Sequence, residues 1–237
     1  MKRHVLALLA FIPAVVTAED VSVAVASNFV ATATHLAEAF EESSGHRVRI
    51  SSGSSGKHYA QIRQGAPFDV FMAADTERPE LLCEQGFADC ASLLVYAVGE
   101  LVLWSRSRQV NADTLAAGEF NFLAIANPQL APYGVAAQDL LLSLRLWDEM
   151  QGKLVRGENV AQAMQYVDSG NAQLGLVAAS LVLQRDGFVW RVPQHLYRPV
   201  EQQAVLISTT EPAIQFMSFL RSEPALEIIR ANGYRLP

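Results

Sequence analysis

The stretch "SSGSSGKHYAQI", Ser51 to Ile62, decides how the rest of the chain is read. It is rich in Ser and Gly, as a flexible linker is. It also contains Gly-Lys, the pair that closes a phosphate-binding loop. Upstream, "RVRI" (Arg47–Ile50) alternates like a strand, and downstream "KHYAQIRQG" has the periodicity of a helix starting near Lys57. A free linker does not lie between a strand and the helix it feeds. A Walker A loop needs four residues between its glycines and then Gly-Lys-Ser/Thr. Here only two residues separate Gly53 from Gly56, and His58 stands where the magnesium-binding hydroxyl belongs. The reading that remains is a strand-to-helix turn holding some other anion, at the carboxyl end of a strand, where ligands collect in open α/β sheets.

Outward from this turn the pattern repeats. Short β-branched runs alternate with helical stretches: "VSVAVAS" and "FVATATHLAEAFEESSG", "FDVFMAAD" and "PELLCEQG", then "ELVLWSR", "FLAIANP", "AAQDLLLSLRLWDEM", "KLVRG", "VAQAMQYVDSG" and "LGLVAAS". The tail reads as a strand, "QAVLIST", followed by "PAIQFMSFLRSEPALEIIRANG". Phe29, Ala33, Leu36 and Phe40 share one helical face. Alternating strands and helices predict mainly parallel sheets with flanking helices.

The N-terminus, "MKRHVLALLAFIPAVVTA", places Lys2 and Arg3 before an apolar run and ends in small residues. It reads as a secretory signal, residues 1–18, cleaved after Ala18 and too short to span a membrane. No cysteine follows the expected cut, so a lipid anchor is not expected. The mature chain of 219 residues (237 minus 18) carries 16 basic and 24 acidic residues once Lys2 and Arg3 are removed, a net charge of −8. That balance argues against nucleic acid and anionic membranes as partners. Cys83 and Cys90, in "LLCEQGFADC", are either a bridge formed in an oxidising compartment or two unpaired thiols.

Three further junctions share the chemistry of the opening turn. Ser27 and Asn28 ("VASNF"), Tyr133 and Gly134 ("APYGVAA"), and Asn159 and Val160 ("GENVAQA") each precede or open a helix. Ser and Asn are ordinary N-caps. Four such turns in one exported chain nevertheless suggest a shared anion site, because first-turn N–H groups lack intrahelical acceptors and the helix dipole favours negative charge. Catalytic patterns are scarce. There is no Gly-x-Ser-x-Gly elbow and no Cys-x-x-Cys. His35, His46, His58 and His195 lack metal-ligand spacing and read mostly as surface residues. Asp69 and Asp75 read as pins at strand ends rather than a catalytic pair.

Taken in order, "VAVASNF", "SSGSSGKHYAQIRQGAPFDVFMAAD", "ELVLWS", "AIANPQLAPYGVAAQ", "LWDEMQGKLVRGENVAQAMQYVDSGNAQLGLVAAS" and "FLRSEPALEIIRANGY" resemble the periplasmic molybdate-binding proteins of ABC importers over nearly the whole mature length. The resemblance implies a type II periplasmic-binding fold with two lobes, 19–99 plus 200–237 and 100–199, joined by two crossovers. It implies a monomer that captures molybdate or tungstate between the lobes and delivers it to permease subunits, with no cofactor and no catalysis. Carried over position by position, the oxyanion site is Ser27, Asn28, Ser55, Tyr133 and Val160, the last two through backbone N–H groups. Lys57 is assigned a background electrostatic role. Some members have an anion-contacting tyrosine where this chain has Ala178, which leads to the expectation that the Tyr133 hydroxyl replaces that donor. The alternatives are a binding protein for another oxyanion or a small carboxylate, or an exported enzyme on the same fold.

Overall fold

The computed structural model describes residues 20–237, so the signal segment and its cleavage point lie outside the described residues. The first lobe opens with β1 (Val21–Ala26), a 3₁₀ turn at Ser27–Phe29 and α1 (Val30–Ser44), then β2 (Val48–Gly53), α2 (Ser55–Arg63), β3 (Val70–Met72), α3 (Glu77–Glu84) and β4 (Asp89–Gly99). The second lobe follows with β5 (Leu101–Ser105), α4 (Ala112–Ala117), β6 (Leu123–Ala126), α5 (Pro132–Ser143), α6 (Trp147–Met150), β7 (Leu154–Gly157), α7 (Val160–Asp168), β8 (Leu174–Ala178), α8 (Ala179–Val182) and β9 (Phe188–Arg191). The chain then returns to the first lobe through β10 (Val200–Leu206), α9 (Glu211–Phe219) and α10 (Glu223–Ala231).

The two sheets have matching strand orders, β2-β1-β3-β10-β4 and β7-β6-β8-β5-β9. In each, the strands separated by helices pair in parallel: β1 with β2 and β3, β6 with β7 and β8. The remaining pairings, β10 with β3 and β4, and β5 with β8 and β9, are antiparallel. The sheets are therefore mixed, because the strands at the crossovers run against the βαβ units. One crossover is the single residue Glu100, between β4 and β5, and the other enters β10 at Val200.

Parallel strands sandwiched between helices bury both faces, which explains the near-continuous apolar runs. In α1, Thr32, Ala33, Leu36, Ala37 and Phe40 face the core. The helix ends at Gly45, whose φ of 78° makes a left-handed C-cap bonded back to Glu41. Separate clusters fill the lobes, around Trp104, Leu140 and Leu176 in the second and around Phe29, Leu36 and Phe216 in the first. Cys83 and Cys90 are joined in a disulfide, with Cα atoms 5.1 Å apart. This bridge closes the turn between α3 and β4, and for so short a loop it contributes about 2–3 kcal/mol in the chain-entropy account.

Candidate functional site

Strand register brings the four turns together two by two. Ala26 pairs with Gly53 at the last rung of β1 and β2, so the turns at Ser27 and Ser55 leave the first sheet side by side. Ala126 pairs with Gly157 at the last rung of β6 and β7, so those before α5 and α7 leave the second sheet side by side. Two hydrogen bonds then join the pairs across the lobes. The Gly56 N–H donates to the Leu130 carbonyl (2.9 Å), and the Ala161 N–H donates to the Ser27 hydroxyl (3.4 Å). Gly56 permits this approach, since a Cβ there would lie 2.8 Å from the Leu130 carbonyl oxygen. The lobes are closed on one another, and the four turns form a ring.

The opening turn divides its work between two serines. Ser54 is the N-cap of α2 and accepts the Lys57 N–H at 3.3 Å. Ser55 becomes the first helical residue, fully buried, and its hydroxyl accepts the Ala74 N–H at 2.9 Å. A hydroxyl that accepts from backbone keeps its proton free to donate. Ser27, 5% exposed, is in the same condition through Ala161. On the other side of the ring, Pro132 occupies the first position of α5 and has no N–H, so the first available donor is that of Tyr133. Asn159 caps α7 by accepting the Gln162 N–H at 3.0 Å, which leaves the Val160 N–H at the helix start. Among the described residues, the N–H groups of Asn28, Ser55, Tyr133 and Val160 have no protein acceptor. The site is thus lined by hydroxyls and backbone N–H groups at the positive ends of three helices, an arrangement suited to an anion.

Cations are peripheral. Lys57 Nζ reaches Glu158 Oε2 at 3.4 Å across the cleft mouth, with both side chains more than half exposed. Asp69 and Asp75 hold structure together. Asp69 accepts the Ser22 N–H and the Ser208 hydroxyl, each at 2.8 Å, and Asp75 accepts the Arg78 N–H at 2.9 Å and pairs with its guanidinium. Burial pushes the Asp75 carboxyl up, and Arg78 pulls against it. Among the described residues no three His, Cys, Asp or Glu side chains cluster as a metal site.

Three side chains lie elsewhere than the sequence suggests. The Asn28 amide does not point into the ring. Its Nδ2 donates to Gln202 Oε1 (2.9 Å) and to the Tyr234 hydroxyl (3.0 Å), so only the Asn28 backbone N–H is left for a ligand. The Tyr133 hydroxyl is buried and has no protein hydrogen-bond partner among the described residues. It lies over Gly99 at the first crossover, 2.1 Å from where a Cβ on that glycine would stand, and burial above all, with Tyr234, Tyr197 and Tyr96 nearby, opposes its ionisation. His58 is not on the surface but 2% exposed, its Nδ1 3.1 Å from Gln61 Oε1 and its ring edge-on to Phe68 and Phe71. Burial lowers its pKa.

Behind the first turn lies a group of polar residues that sequence reading missed. Gln202 is fully buried and accepts from Asn28 and from the Tyr96 hydroxyl (3.3 Å). Phe29 is wedged between Tyr96 and Tyr234, with ring centroids at 4.7 and 4.9 Å. Burial pushes the Tyr234 hydroxyl up to about 12, so it stays protonated and able to donate. The local trace of this group was a polar pair, Gln202 and Gln203, between Glu201 and the apolar end of β10.

Two α/β lobes closed on a ring of neutral donors define a periplasmic-type solute receptor, and the chain belongs to the bacterial extracellular solute-binding proteins, whose family model matches residues 21–235. It is a binding protein, not an enzyme. Its relatives include the molybdate-binding protein ModA of Rhodobacter capsulatus, 42% identical over 92% of this chain and 88% of that one. The ModA of Azotobacter vinelandii is 44% identical over 92% of this chain and 91% of its own length. The solved structure of the Azotobacter vinelandii periplasmic molybdate-binding protein superposes with a TM-score of 0.88 at 43% identity, covering 92% of this chain and 99% of that one.

Proposed function

We propose that this chain is the molybdate receptor of an ABC importer. It binds molybdate or tungstate in the interlobe ring and presents the closed complex to permease subunits, as a periplasmic monomer released from its signal segment without a lipid anchor. The observation that carries the reading is the donor set: the hydroxyls of Ser27 and Ser55 and the N–H groups of Asn28, Ser55, Tyr133 and Val160, with no cation among them. Hydrogen bonds to a charged group contribute about 1.5–3 kcal/mol each, so several neutral donors hold a buried dianion without a counter-charge. A ring of donors without acceptors also disfavours protonated anions, whose O–H groups would find no partner. Molybdate and tungstate are nearly the same size and shape and fit alike. Sulfate is smaller and leaves donors unpaired.

Titration calorimetry of the mature protein with molybdate, tungstate, sulfate and phosphate tests this. One site per chain is expected, with molybdate and tungstate similar and sulfate far weaker. Equal affinity for sulfate, or tightest binding to a small carboxylate, would assign the ring to another anion. A thermal-shift series gives the same ranking, since a ligand at about 100 times its Kd adds about 2.7 kcal/mol of stability.

A further inference from the structure

The ring accounts for what touches a ligand. A second set of contacts, behind the first turn, joins the lobes without reaching the ring. Ser180 stands in the first turn of α8, two residues beyond Ala178, where the second lobe faces the first. Its hydroxyl is 2.8 Å from the Tyr234 oxygen and 3.2 Å from the carbonyl oxygen of Asn28. Tyr234 belongs to the first lobe and donates its own proton to the same carbonyl at 2.7 Å. Its oxygen in turn accepts from the Asn28 amide. With the tyrosine proton committed to Asn28, Ser180 donates either to the tyrosine oxygen or to the carbonyl. Either bond runs from one lobe to the other.

The contact joins the two lobes, so opening the cleft would break it. Asn28 and Tyr234 are held within the first lobe by Gln202, Phe29 and one another, so they stay in place whether or not the second lobe is docked. Only Ser180 arrives with closure. It docks on the residue whose N–H faces the ring, so the ligand and the serine act on neighbouring peptides of one 3₁₀ turn. We propose that Ser180 is a positioning residue for anion capture, a latch that bonds the Asn28–Tyr234 pair when the lobes close and slows release of the anion. Ala178, fully buried and without a polar side chain, offers no donor at the end of β8. The second lobe therefore contributes at this corner through closure rather than through contact with the ligand. This inference rests on the ring being the molybdate site.

Removing the serine hydroxyl leaves no orphan behind, because Tyr234 and Asn28 still bond to each other. The cost is then that of an ordinary neutral hydrogen bond, about two- to tenfold in an equilibrium. The experiment measures association and dissociation of radiolabelled molybdate by rapid filtration for the wild-type protein, Ser180→Ala, Ser180→Thr, Tyr234→Phe and the Ser180→Ala/Tyr234→Phe double variant, together with melting of each unliganded protein. Ser180→Ala is expected to release molybdate about two- to tenfold faster, with association and ligand-free melting unchanged, and Ser180→Thr to restore slow release. In the Tyr234→Phe background the Ser180→Ala effect should shrink, since the two share one bond system. Wild-type release from Ser180→Ala would overturn the latch. So would a loss confined to association, or a lower ligand-free melting temperature, either of which marks a merely structural serine. A wild-type protein that binds no molybdate would instead retire the reading of the ring, and the latch with it.

Discussion

The two sides of the ring are built differently. The first lobe brings side chains: the hydroxyls of Ser27 and Ser55, each fixed by a backbone N–H it accepts, with protons left over. The second lobe brings backbone alone, at Tyr133 and Val160, and spends its side chains on shaping the turns, with Pro132 opening α5 and Asn159 capping α7. A side-chain donor is lost with a single substitution. A backbone donor survives any substitution that keeps the turn. The first lobe should therefore carry the fragile half of recognition and the second the tolerant half.

The widest separation is expected between Ser55→Ala and Val160→Ala. Ser55→Ala removes a donor to the anion and leaves the buried Ala74 N–H without its acceptor. A lost bond to a charge corresponds to about ten- to a hundredfold in affinity. Val160→Ala keeps its N–H and should stay within about threefold, the scale of trimming a few buried methyl groups at a helix start. Calorimetry on both variants, with melting of the unliganded proteins as a control for folding, decides it. If Val160→Ala costs as much as Ser55→Ala, the two lobes do not differ in the way described.

The next effect concerns Tyr133, a second-lobe side chain that reaches the crossover. Gly99→Ala would place a methyl 2.1 Å from the Tyr133 hydroxyl and 3.1 Å from the ring carbon that bears it. Overpacking costs about 1–3 kcal/mol, so molybdate affinity should fall by roughly tenfold as the lobes are held apart. Tyr133→Phe in the same chain removes the clashing oxygen and should recover most of that loss. Alone, Tyr133→Phe should change affinity by less than about twofold if the backbone N–H is what serves the anion, because the hydroxyl has no protein hydrogen bond to lose. A tenfold loss in Tyr133→Phe alone would return the hydroxyl to the ligand.

These expectations also show what was legible in the sequence. Strand-turn-helix units with Ser, Asn and Gly at the turn announce where N–H groups are exposed, and the parallel strands with their helices follow from apolar period and length. What escaped was long-range. The Asn28 amide turns inward because Gln202 and Tyr234, 174 and 206 residues away, are there to receive it. The Tyr133 hydroxyl turns to the crossover because Gly99 leaves room. The strand β4, eleven residues long, passed unnoticed because its burial runs from exposed to buried along its length instead of alternating. The 3₁₀ turn at Ser27–Phe29 takes Phe29 out of the helix whose periodicity includes it, while its side chain is still buried. In "SSGSSGK" the periodicity could not say which serine caps α2 and which faces the ring, since both roles suit a serine.

A smaller asymmetry lies in pH dependence. His58 sits beneath the second turn of the first lobe, next to Gly53 and within a turn of Ser55, and its pKa is held below the ordinary 6.5 by burial, against hydrogen bonds that raise it and with Lys57 nearby lowering it further. The folded protein therefore binds fewer protons at His58 than the unfolded chain. Its contribution to stability is fully present above about pH 6.5 and is lost as pH falls from there toward the depressed folded value, with a slope of at most about 1.4 kcal/mol per pH unit. Denaturant melts between pH 7.5 and 5 should show this decline in the wild-type protein and a shallower one in His58→Gln. Equal slopes would mean that other groups carry the acid sensitivity.

The smallest effect is expected from Lys57, the cation at the cleft mouth, and it tests whether the first lobe's donors act without charge. Lys57→Ala removes two things at once: an ion pair to Glu158 that spans the cleft mouth, and a positive charge in the neighbourhood of a bound dianion. Both losses weaken binding, but both are small. The pair is 3.4 Å long between side chains that are 54% and 63% exposed, where water screens the attraction and two long side chains lose freedom to meet. At about 0.15 M salt the screening length is about 8 Å, so the remaining field of Lys57 at the ring is largely damped. The variant should bind molybdate within about threefold of wild type at that ionic strength, and the difference should fade as salt is raised. Glu158→Gln separates the two contributions. It breaks the pair while removing a negative charge near the mouth, so its effect should be smaller still or slightly favourable. Calorimetry across a salt series reads both. A Lys57→Ala loss as large as that of Ser55→Ala, and undiminished in high salt, would mean that the anion is held by a buried charge after all, and that the ring of neutral donors is not what captures it.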